Sequence, residues 1–281
     1  MDSRAFHAFG HGVVLAGEEA GEGLPVVLLH GLTATRRYVV MGSRSLERSG
    51  HRVLAYDARG HGESPLGQES YSYAALADDL GAVLDECGVE RAVLAGASMG
   101  AHTLLRFALD HPERAAGLVV ITPAFDGKPV DVDGRLERWD RLAAGLRSGG
   151  IDGFLAAYDF SAIDPALRKT VATVIRQRLA LHRRLPDIAR ALEEVPRSRP
   201  FAALCDLQAL GGTPTAVVAS NDRADPEHPQ WVGEAYAAAI PGARLVLDPP
   251  GDPDGPPVSP IAWQGSRLSR VIAEVAALAQ R

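Results

Sequence analysis

The chain has 281 residues, enough for one large core or a core with a smaller insertion, and short for two unrelated domains. Apolar residues at 46% and charged residues at 23% exclude a disordered or fibrous chain. A net charge of −6 gives no general attraction to nucleic acid or anionic membrane, which leaves a small molecule as the expected partner.

The first residues, MDSRAFHAFGHG, lack a basic segment followed by an apolar one, and no apolar run approaches the ~20 residues of a membrane helix. A cytoplasmic protein with no membrane partner is therefore expected. AFHAF and VVLAGE, on either side of Gly10 and Gly12, read as an antiparallel hairpin at a sheet edge. Six short runs rich in Val, Leu and Ile follow: VVLLH (26–30), RVLAYD (52–57), RAVLAG (91–96), GLVVIT (117–122), TAVVAS (215–220) and RLVLD (244–248). Such runs are how strands buried on both faces read.

Amphipathic helices alternate with them. SYAALADDLGAVLDECG sets Leu76, Leu80, Val83 and Leu84 on one face and ends at Gly88, and MGAHTLLRFALDHP is stopped by Pro112. Strand and helix in alternation predict a mostly parallel α/β sheet flanked by helices, with ligands bound beyond the carboxyl ends of the strands. Residues 127–205 break the rhythm, with helical patterns and no convincing strand. We read them as a helical cap inserted into a core made of residues 1–126 and 206–281. This insertion carries 14 Lys/Arg against 10 Asp/Glu, whereas the remainder carries 15 against 25. The surplus is expected on solvated arginine-rich faces, the alternative being a basic lid that favours anionic substrates. Cys87 and Cys205 lack metal-ligand spacing and are expected as two separate buried thiols in a reducing compartment.

The strongest chemical signal is Gly96-Ala97-Ser98-Met99-Gly100, with a strand before it and a helix after it. That context makes G-x-S-x-G a nucleophile elbow: small neighbours permit a strained turn that exposes the Ser98 hydroxyl at a helix N-terminus. A second signal is His30-Gly31-Leu32 at the end of a buried strand. The amides of Leu32 and Met99 are the natural pair of donors for an oxyanion, because Gly31 lets the loop approach closely. His30, Gly31 and Trp263 are candidates for the substrate pocket, and His30 is expected to prop its loop by hydrogen bonds.

The stretches LLHG, YDARGHGES, GASMG and ASNDRADPEHP together resemble the α/β-hydrolase superfamily, in its cap-bearing esterase, perhydrolase and lactonase-like members. The resemblance covers nearly the whole chain. It implies an α/β-hydrolase fold, a cofactor-free hydrolase of small carboxylic esters or lactones, and no catalytic role for Asp57, Arg59 or His61. It also implies an acid after the strand at 215–220, where Asp222 and Asp225 both qualify. Asp225 is preferred, Asp222 suits a turn, and Asp126 is the alternative position. The family takes its histidine from the loop after the last strand, yet His228 is the last histidine of this chain and precedes that strand. Three readings stay open. His228, three residues after Asp225, is the first choice of base. His30, His102 or His182 are other sources, with His102 expected beneath the sheet and His182 in solvent. In the third, the site binds or transforms a carbonyl compound without an acyl-enzyme. No metal-ligand or nucleotide motif occurs, so neither metal nor cofactor is expected.

Overall fold

The computed structural model describes residues 3–67, 70–128, 134–248 and 260–281. Eight strands form one sheet in the order β1-β2-β4-β3-β5-β6-β7-β8. They are β1 Arg4–Gly10, β2 Val13–Ala20, β3 Leu24–Leu29, β4 His51–Tyr56, β5 Ala92–Ala97, β6 Ala115–Ile121, β7 Thr215–Ala219 and β8 Arg244–Leu247. The hairpin β1-β2 is antiparallel and lies at one edge, and β2 meets β4 antiparallel. From β4 onward every pairing is parallel. The carboxyl ends of β3, β5, β6 and β7 therefore point to one edge of the sheet, and the loops that leave them meet there.

The helices around the sheet are α1 Ser45–Arg48, α2 Tyr73–Glu86, α3 Met99–Asp110, α7 Gln230–Ala239 and α8 Gly265–Ala279. Ser72 caps α2 by accepting from the Ala75 N–H at 3.1 Å, and Gly88 just beyond its end takes φ 62°. Alternate side chains of the strands go to opposite faces. On one face Val27, Leu29, Leu94 and Val120 pack with Leu80, Leu104 and Tyr236. On the other, Val26, Val93, Val119 and Val218 pack with Leu268 and Ile272. Each such side chain, fully buried, contributes about 1.5–3 kcal/mol, which is why the strands read as unbroken apolar runs.

Between β6 and β7 lie α4 Arg135–Ala157, α5 Arg168–Leu179 and α6 Leu185–Glu194, with no strand among the described residues. α4 changes direction at Gly150, whose φ of 59° a residue with a Cβ rarely adopts. Leu142, Leu146, Phe154, Leu179, Ile188 and Leu192 make a small apolar core of their own, against which Leu32 of the β3 loop also packs.

Two expectations fail here. Cys205 is exposed rather than buried, although Cys87 is buried as expected. His182 is buried rather than solvated: its Nδ1 accepts the Gly62 N–H at 2.8 Å and its Nε2 donates to the Thr33 carbonyl at 2.9 Å. The cause is tertiary, since both partners belong to loops of the sheet edge.

Candidate active site

β5 ends in a turn that forces Ser98 to φ 52° and ψ −112°, a strained conformation for a residue with a side chain. Close packing makes the flanking glycines necessary. A Cβ on Gly96 would lie 2.4 Å from the Gly100 carbonyl oxygen, and one on Gly100 would lie 2.2 Å from the Leu29 carbonyl oxygen. The β3 loop approaches from the other side, where a Cβ on Gly31 would already press on Ala97 O and Ser98 Cβ at 3.3 Å. Met99 opens α3, so its N–H has no acceptor within the helix. Leu32 and Met99 both line the cavity over Ser98.

The loop after β7 carries the other two groups. Asp225 N–H bonds to the Asp222 carbonyl at 3.1 Å and His228 N–H to the Asp225 carbonyl at 3.4 Å, so the chain here winds in tight successive turns. Residues three apart in such a winding stand over one another. Asp225 Oδ2 accepts from His228 Nδ1 at 2.8 Å, and His228 Nε2 lies 2.8 Å from Ser98 Oγ. With Nδ1 carrying the proton toward the carboxylate, Nε2 presents its lone pair to the hydroxyl. Burial opposes the charge on each member of the pair. The mutual attraction and hydrogen bond outweigh it, so the Asp225 carboxyl is held below the ordinary aspartate value and the His228 imidazole is raised above the ordinary histidine value.

The other candidate residues sit elsewhere. Asp222 accepts the Ala224 N–H at 2.8 Å and the Trp263 indole N–H at 2.5 Å, which ties the β7 loop to the segment that enters α8. Trp263 thereby lines the cavity, as does Gly31. Asp126 accepts the Lys128 N–H at 3.0 Å and does not meet His228. His30 is placed behind its loop and does not line the cavity, contrary to expectation. Its Nε2 accepts the Ala58 N–H at 2.9 Å and its Nδ1 donates to the Gly31 carbonyl at 2.8 Å.

His102, expected beneath the sheet, instead lines the cavity with both ring nitrogens engaged: Nε2 accepts the Ala124 and Phe125 N–H groups at 3.2 Å and Nδ1 faces the Tyr73 hydroxyl at 3.0 Å. Burial first, then the charges of His228 and Arg135, push its pKa down to about 3. His30, His102 and His182 thus have both nitrogens committed to other partners, and none of these bonds goes to Ser98. Asp57 pairs with Arg36, and Arg59 with Asp79, in a supporting shell away from Ser98.

The cavity above Ser98 has a volume of about 1300 Å³ and is lined mainly by apolar surface from both the sheet edge and the insertion. Trp139, Phe154, Tyr158 and Arg178 of the insertion face it, together with Tyr38 of the core. Sequence reasoning missed these residues, because nothing in the pattern separates Arg178 from the other arginines of RKTVATVIRQRLALHRRL. No group of histidine, cysteine and acidic residues suited to a metal ion occurs among the described residues. Nor is any helix among them long and apolar enough to cross a membrane.

A strained serine beyond a central parallel strand, under an imidazole and a carboxylate, on a sheet of this order, defines a class. The alpha/beta hydrolase fold family matches residues 25–254, and the chain belongs to that family. It is 28% identical over 213 residues to AB hydrolase superfamily protein YisY of Bacillus subtilis, an alignment covering 63% of this chain and 80% of that protein. Among solved structures, a thermophilic esterase from Thermogutta terrifontis in its malate-bound form superposes with a TM-score of 0.79. It is 27% identical, over 99% of this chain and 100% of that one. Est816, described as an N-acyl homoserine lactone degrading enzyme, shares the fold at a TM-score of 0.70 and 24% identity, over 97% and 98% of the two chains.

Proposed function

We propose that this chain is a cofactor-free serine hydrolase of small carboxylic esters or lactones that works through an acyl-enzyme on Ser98. The observation that carries the reading is the unbroken line from Asp225 Oδ2 to His228 to Ser98 Oγ, with both contacts at 2.8 Å. In this mechanism His228 Nε2 takes the hydroxyl proton as Ser98 Oγ attacks the substrate carbonyl. Asp225 holds the ring in the required tautomer and stabilises its charged form. The Leu32 and Met99 amides receive the developing oxyanion. The imidazolium then gives its proton to the departing alkoxide, and a water activated by the same nitrogen releases the acid.

The esterase neighbour at 27% identity supports an ester substrate. The reading without an acyl-enzyme had its motive in a missing base, and an imidazole at hydrogen-bond distance from Ser98 removes that motive. Rapid-quench mass spectrometry during turnover of 4-nitrophenyl acetate tests the proposal. Acetyl mass on the Ser98 peptide, together with loss of turnover in Ser98→Ala, is expected. A folded protein that cleaves the ester without ever carrying acetyl on Ser98 would overturn it.

A further inference from the structure

Arg178 comes from α5 of the insertion and reaches the loop that holds Leu32. Its Nη2 donates to the Leu32 carbonyl and to Thr33 Oγ1, both at 2.9 Å, and its guanidinium lies 5.9 Å from the centre of the Tyr38 ring. Its Nε is sealed from solvent and has no acceptor. The surface that this group gives to the cavity therefore comes from Nη1 and Nη2, and Nη1 makes no hydrogen bond among the described residues.

Three other lining arginines are paired. Arg138 lies 3.7 Å from Glu227, Arg141 3.2 Å from Glu137 and Arg223 2.5 Å from Asp164. Arg178 has no carboxylate within ion-pair distance among the described residues, and neither does Arg135, which lines the same cavity. Arg178 is part-buried, and the attraction of the Asp225 carboxylate offsets the loss of water around it only in part. Beside it stand two phenols, Tyr38 and Tyr158. Both line the cavity, both act electrostatically on Arg178, and neither hydroxyl has a hydrogen-bond partner among the described residues.

We propose that Arg178, with the Tyr38 and Tyr158 hydroxyls, is the receptor for an anionic group of the substrate, so that the esters or lactones cleaved here carry a carboxylate. The proposal rests on the hydrolase reading for its reaction and on the cavity for its ligand. Three unengaged donors around one part-buried charge match a carboxylate, which accepts several hydrogen bonds and neutralises the guanidinium. The Arg178 charge also acts on Asp225 and His228, so the anionic group would bind close to the reacting carbonyl. Short diacid hemiesters fit that arrangement.

The test pairs the ethyl hemiesters of succinic, glutaric and adipic acid with neutral ethyl esters of matched length, followed by pH-stat. In wild type the best hemiester should exceed its neutral partner in kcat/KM by about tenfold or more. Arg178→Gln should reduce that ratio at least about tenfold through the hemiester KM, with Arg178→Lys restoring part of it. Damage to the Leu32 loop slows both esters and cancels in the ratio. A ratio unchanged by Arg178→Gln, or no hemiester favoured in wild type, would overturn the proposal. Calorimetry of the same pairs on Ser98→Ala, with and without Arg178→Gln, separates the two readings. Hemiester binding lost with Arg178, in a protein whose wild type cleaves neither ester, keeps the anion site and discards the hydrolase. Cleavage without discrimination does the reverse.

Discussion

Two groups of histidine in this molecule, both largely removed from water, differ in what they can do. His30, His61 and His182 cluster behind the β3 loop, His61 tilted against His30 and edge-on to His182 at ring-centre distances of 5.1 and 5.6 Å. Burial is the largest influence on each, and all three are driven below the ordinary histidine value, His182 to about 4. His228 is less deeply buried and faces Asp225, which reverses the sign. The first group stays neutral: His30 and His182 hold loops through both ring nitrogens, and His61 bonds the Arg59 carbonyl through Nδ1 alone. His228, with the Asp225 carboxylate behind it, keeps an open lone pair on Ser98 and is suited to take a proton. Surroundings, not residue type, divide support from chemistry.

Replacing His228 by Ala should lower kcat by a factor on the order of 10⁴ or more while leaving the unfolding midpoint nearly unchanged. Asp225→Asn should cost on the order of 10³–10⁴ in kcat. Equal losses of activity from His182→Ala would contradict the division of roles.

The pH dependence sharpens it. A base works when neutral, and the His228 pKa is raised, so the ascending limb of kcat/KM should lie above the ordinary histidine value of about 6.5. Asp225→Asn, by removing what raises it, should move the limb down. Stability should show the opposite sign for the buried group. His30, His61, His102 and His182 have folded values below the unfolded one. The unfolded chain therefore takes up protons first as pH falls through about 6.5, and stability declines by up to about 1.4 kcal/mol per pH unit for each group. Urea unfolding at pH 7.5 and 5.5 checks this. The smallest effect is local: His182→Ala removes bonds to Gly62 and Thr33 and should lower stability by about 1–3 kcal/mol, without shifting the kinetic limb.

Much of the sheet was legible because parallel strands buried on both faces must be apolar throughout, and all eight runs recognised in the sequence are strands. The order of those strands was not, since no local pattern records which edges meet. The elbow was legible because only glycine fits beside Leu29 and Ala101. The position of Asp225 and His228 rested on a spacing of three, which local winding turns into a shared side. The loop at 248–263, where the family resemblance implies a histidine, lies largely outside the described residues, and the sequence itself holds none there. His182 and Arg178 were misread or missed for one reason. Their partners lie 120 to 149 residues away, and an arginine-rich helix looks solvated until the sheet edge is set against it.

Thr33 shows how the two regions join. It takes φ 65°, uncommon for a β-branched residue, and is held there by His182 and Arg178 from the insertion. The loop presenting Leu32 is thus fixed from both sides.

The most direct test of the central claim is the rate at which a fluorophosphonate labels Ser98 in wild type, His228→Ala and His182→Ala, at one pH near 8. The account predicts rapid labelling of wild type, a fall of at least about a hundredfold in His228→Ala and a far smaller change in His182→Ala. Labelling that survives the loss of His228 would contradict it, because Ser98 would then be activated by a group other than the imidazole 2.8 Å away.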